Sequence, residues 1–74
     1  MQIKFTRHAK RRGKLYQISE SQVSRILMDK VLQPGRQEII QEMVGFPYPL
    51  KIIFTVEGDQ LTVITTYPLK KGKR

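Results

Sequence analysis

The first half of the chain spaces its apolar residues as a helix does, and the second half alternates them. Ala9, Gly13 and Tyr16 recur at helical spacing behind Thr6, a residue suited to capping. This predicts a helix from Thr6 to about Tyr16, preceded by a short edge strand over residues 2–5. Gly13 costs about 1 kcal/mol relative to alanine in a helix interior, so a small residue there implies that another element comes close. Val23, Ile26, Leu27 and Val31 form the core face of a second helix. Ser19 with Gln22 makes a capping box at its start, and Ile18 with Val23 makes a hydrophobic staple. Glu20 in the first turn suits the helix dipole. Gln33-Pro34-Gly35 is expected to stop it.

Residues 36–44 read as a strand and 45–49 as a turn rich in proline and glycine. Residues 50–56 and 61–67 read as two strands joined by a tight hairpin at Gly58-Asp59. With Glu57 opposite Gln60, one face carries Leu50, Ile52, Phe54, Val56, Leu61, Val63, Thr65 and Tyr67, and packs on the helices. Lys51, Ile53, Thr55, Thr62, Ile64 and Thr66 face away. The expected fold class is α+β, with two N-terminal helices packed on a three- to four-stranded antiparallel sheet. The length suits a single domain over 1–74, with 69–74 as a basic C-terminal tail.

Charge changes the picture at the two ends. Fourteen lysines and arginines stand against six acids, for a net charge of +8. Lys4, Arg7, Lys10, Arg11, Arg12 and Lys14 cluster at the front, and Lys70, Lys71, Lys73 and Arg74 at the back. The middle holds all six acids and is slightly acidic. Such a field attracts polyanions, or an acidic protein. The tail by itself reads rather as a solvated end. The front cluster is harder to dismiss, because it loads a helix N-terminus that already carries partial positive charge. No apolar run has the length of a signal peptide or a bilayer span, so the expected location is cytoplasmic.

The chemistry available is narrow. With one histidine and no cysteine, the residues offer no metal-ligand set of recognisable spacing, and no cofactor is expected. Glu38 and Glu42 share a strand face but read as solvated carboxylates. Metal-independent RNA cleavage remains open, because the substrate's 2′-hydroxyl is the nucleophile. The protein need supply only proton transfer and positive charge around the phosphate. His8 is the candidate acid or base, set among cations at a helix N-terminus. Arg11 or Arg12 can clamp phosphate oxygens in a bidentate way. Thr66 and Tyr67 offer hydroxyls, and Arg7, Lys10, Lys51, Lys70 and Lys71 add charge. The candidate catalytic set is therefore His8, Arg12 and Tyr67. The other class is binding without chemistry, in which the same cations hold phosphates and Tyr16, Phe46, Tyr48 or Tyr67 stack on bases. Each has a plainer reading: His8 as a surface or capping residue, Tyr16 and Tyr67 as core, Phe46 and Tyr48 as rings closing the core edge.

The opening FTRHAKRR, the Ile18-Ser19 step into a capped helix, and the strand end VITTYPLKKGK together resemble a family of small bacterial domains of unknown function. Its His-Ala-x-x-Arg opening falls here on His8, Ala9 and Arg12, and its Thr-x-Tyr end on Thr65 and Tyr67. That family is grouped with the RelE/ParE-like toxins and small ribonuclease folds. The resemblance covers nearly the whole chain. It implies two N-terminal helices on an antiparallel sheet, a ribonuclease toxin acting on RNA, ribosome-associated in one version, and an antitoxin partner. The chain departs from the pattern at Tyr16-Gln17, where members often carry a second arginine. A noncatalytic nucleic-acid-binding or antitoxin-binding module is the alternative, and a regulatory protein docking an acidic partner is a third.

Overall fold

In the computed structural model, which describes residues 2–30, 32–42, 45 and 47–69, the chain runs β1 (Gln2–Phe5), α1 (Arg7–Tyr16), α2 (Glu20–Met28), β2 (Gly35–Gln41), β3 (Leu50–Glu57) and β4 (Gln60–Pro68). Local chemistry sets most of the boundaries. The Thr6 hydroxyl accepts the Ala9 N–H and starts α1. The Ser19 capping box forms in full with Gln22. Ile18 and Val23, the staple pair, are both buried. Gly58 sits at φ 61° in the β3–β4 turn and Asp59 does not share its positive φ, the pattern of a type II′ hairpin.

α2 ends at Met28 rather than at Pro34, with Asp29 as its cap. The reason lies in Leu32, which packs against the core. A helix continued to Leu32, five steps beyond Leu27, would place Leu32 about 140° round from that buried residue. The expected core position Val31, and Met43 and Val44 of the expected β2, lie outside the described residues.

The architecture is α+β, two helices on a four-stranded sheet of order β1-β4-β3-β2. β2, β3 and β4 form the expected antiparallel meander. The sheet as a whole is mixed, which corrects the antiparallel expectation. β1 pairs parallel with β4, from Gln2 opposite Gln60 to Phe5 opposite Val63. A parallel neighbour needs a long crossover, and the helices with β2 and β3 supply it. The core comprises Ala9, Ile18, Val23, Leu27, Leu50, Ile52, Phe54, Val56, Leu61 and Val63, between the helices and one sheet face. The other sheet face carries no helix.

One irregularity rearranges the end of β4. The β3–β4 register shifts between Ile53 and Phe54: Phe54 faces Val63, but Ile53 faces Thr65. Ile64 is thus the extra residue of a β-bulge. Beyond it, the alternation inverts. Thr66 pairs with Ile52 on the core side and is 1% exposed, while Thr65 and Tyr67 turn to the open face. Both placements reverse those expected from strict alternation.

Candidate nucleic-acid interface

α1 presents the basic cluster because its core face is so narrow. Ala9 and Gly13 are its buried residues, and Arg7, His8, Lys10, Arg11 and Lys14 are exposed. Gly13 lies against the chain that leaves the helix: a Cβ there would stand 2.8 Å from the Ile18 carbonyl oxygen. Gln17 turns the chain in the left-handed region at φ 59°, and its N–H bonds the Gly13 and Lys14 carbonyls. This tight exit keeps α1 short and close to the core.

Thr6 also fixes where α1 sits. Besides accepting from Ala9, its hydroxyl donates to the Ile64 carbonyl at 2.8 Å, and its N–H bonds the Val63 carbonyl at 3.0 Å. One side chain therefore ties the start of α1 to the bulge of β4. This second bond is not visible in the sequence, where Thr6 reads only as a cap.

The first turn of α1 contains no acidic residue. Among the described residues the one ion pair is Lys51–Glu38, at 3.0 Å on the open sheet face. No carboxylate pairs with Arg7, Lys10, Arg11, Arg12 or Lys14. His8 makes no side-chain hydrogen bond among the described residues. Arg12, half-buried, donates from Nη1 to the Tyr16 hydroxyl at a long 3.5 Å, one turn toward the C-terminus of α1.

The remaining candidates are placed elsewhere. Tyr67 stands opposite Lys51 on the open face, across the sheet from the core that α1 covers. Lys51 is held protonated above the ordinary lysine range, first by its hydrogen bond to Glu38, then by the Glu38 charge and the nearby Tyr67. Thr66, expected on the face away from the helices, is buried in the core instead; the bulge at Ile64 is the cause. Lys70, Lys71 and Phe46 lie outside the described residues. His8 and Arg12 thus share a helix, whereas Tyr67 belongs to another surface.

Nothing else in the described residues forms a rival reactive centre. No group of His, Asp and Glu there is placed to hold a metal ion. Of the hollows beside α2 and β1, one is lined mainly by Ile3, Leu27, Met28 and Leu32, and the other adds Glu20, Ser24, Arg25 and Asp29 of α2 and its cap; neither includes a cation of α1. No described helix is long and apolar enough to cross a membrane. The chain matches no family model, no curated protein and no solved structure with which it was compared.

Proposed function

We propose that this is a small RNA-binding domain whose contact surface is the exposed side of α1. The observation that carries the reading is the absence, among the described residues, of any carboxylate paired with the five cations of α1. Arg7 and Lys10 lie in the first turn, where unpaired positive charge opposes folding by tenths of a kcal/mol per residue, so a bound phosphate is what makes their placement favourable. Arg7, Lys10, Arg11, Arg12 and Lys14 hold the backbone, with Lys51, Lys70 and Lys71 as further contacts. The RelE/ParE-like grouping belongs to this proposal; two N-terminal helices ahead of a strand meander support it. In a toxin–antitoxin pair, an acidic antitoxin would cover the same helix.

In the catalytic version, His8 moves the proton of the 2′-hydroxyl or of the leaving oxygen, and Arg12 stabilises the phosphate. The placement of Tyr67 on the open face favours the second version, binding without cleavage. His8 makes no side-chain hydrogen bond to a second proton-transfer group among the described residues.

Both versions are tested by incubating the protein with mixed-sequence RNA in excess chelator, beside His8→Ala. Salt-dependent binding equal in the two proteins, without cleavage, supports the binding module. If all five α1 cations engage, the log–log salt slope is about −3.5 on single strands. Cleavage by wild type alone, with 2′,3′-cyclic phosphate ends, makes His8 catalytic. A slope near zero removes the proposal.

A further inference from the structure

β2 closes the sheet on one side, and among the described residues no strand lies beyond it. Its register with β3 is unbroken from Gly35 opposite Val56 to Gln41 opposite Leu50. Gly35–Gln41 contains no proline or bulge to blunt the edge, and its two charges, Arg36 and Glu38, are of opposite sign. Backbone donors and acceptors are thus presented to any extended chain. On the open face the strand carries Arg36, Glu38 and Ile40, all exposed, Ile40 by 62%. Glu38 gives Oε1 to Lys51, its side chain is 49% exposed, and among the described residues no other cation pairs with its second oxygen.

We propose that β2 pairs antiparallel with β2 of a second copy of this chain, about a two-fold axis at Gln37. The product is one continuous eight-stranded sheet. Charge selects the register. In such pairing the residue on the axis faces itself, and residues equally spaced on either side face each other. An axis at Glu38 opposes two carboxylates, and an axis at Arg36 opposes two guanidiniums. An axis at Ile39 sets Glu38 against an isoleucine. The axis at Gln37 sets Arg36 opposite the partner's Glu38, and does so twice. Directly opposed side chains have Cβ atoms about 5 Å apart, within ion-pair reach. A single strand pair is small beside the roughly 1,600 Å² of a standard interface, so the dimer forms reversibly with concentration.

The test is sedimentation velocity on the whole protein from low micromolar to near-millimolar concentration, with Arg36→Glu, Glu38→Arg and their equimolar mixture. Both residues are exposed, so the core is untouched, and circular dichroism checks each fold. Wild type should shift from monomer toward dimer. Each single variant should associate about tenfold more weakly, because it opposes like charges twice. The mixture should recover, because one chain then offers two carboxylates to two guanidiniums on the other. Amide exchange on wild type, which needs no variant, should show β2 protection rising with concentration. A wild type that stays monomeric overturns the proposal. So does a dimer retained by either variant, a mixture no better than its parts, or β2 protection indifferent to concentration.

Discussion

Replacing Gly13 by alanine sets two effects of opposite sign against each other. Helix propensity alone favours alanine by about 0.8–1.0 kcal/mol. Packing opposes it, because the new Cβ would meet the Ile18 carbonyl oxygen at 2.8 Å. That oxygen is backbone, so no rotamer change relieves the contact. The segment is also held firmly: the Ile18 N–H bonds the Gly13 carbonyl at 2.7 Å, and the Ile18 side chain is buried. The link between α1 and α2 must therefore shift, and overpacking of this kind costs about 1–3 kcal/mol. Packing should win, leaving a net loss of about 1 kcal/mol, or a fall in Tm of about 4–8 °C for a domain of this size. Thermal and urea unfolding followed by circular dichroism measure it. Gln17→Gly is the control, since glycine adopts the left-handed conformation at φ 59° without strain. It should gain about 0.5–1 kcal/mol. A Gly13→Ala protein more stable than wild type by about 1 kcal/mol would refute the reasoning, because propensity would then govern and the close approach would constrain nothing.

Three further substitutions probe the frame. Thr6→Val removes both the cap and the bond to Ile64, and should cost about 2 kcal/mol in urea unfolding, while Thr6→Ser retains most of it. Thr66→Val should leave the melting temperature unchanged or raise it by the equivalent of about 1 kcal/mol, because the buried Thr66 hydroxyl finds no partner. Lys51, with its folded value raised above 10.5, stabilises the fold below that pH and loses the contribution as pH climbs through the raised value. Urea titrations from pH 9 upward should therefore show a decline that Glu38→Gln flattens; an equal decline in both proteins would show that the pair is not its source.

What could be read in the sequence is what depends on neighbours within a turn. Thr6, Ser19 with Gln22, and Gly58 each act over a few residues, and each ends or begins an element where expected. The cations of α1 were legible for the same reason: a helix whose only small and buried positions are Ala9 and Gly13 must show the rest to solvent. The parallel pairing of β1 was not legible, because it depends on the path of the whole chain. Nor was the early end of α2, which follows from the return of Leu32 to the core rather than from a breaker.

The bulge at Ile64 had the largest consequence for the site and left the weakest local trace. Val63-Ile64-Thr65-Thr66 is β-branched throughout, so every residue suits either face of a strand, and nothing in the run says where an extra residue enters. What accompanies it is remote: the hydroxyl of Thr6, 58 residues earlier, bonds the Ile64 carbonyl. The same bond that anchors α1 thus lies at the point where β4 changes face. Upstream of the bulge β4 supplies Leu61 and Val63 to the core. Downstream it buries Thr66 and gives Tyr67 to the open face beside Lys51. A catalytic centre built from both ends of the chain would need Tyr67 on the side of the sheet that α1 occupies. The bulge separates them, so the cations of α1 and the open face, with Tyr67, Arg36 and Glu38, are two different surfaces.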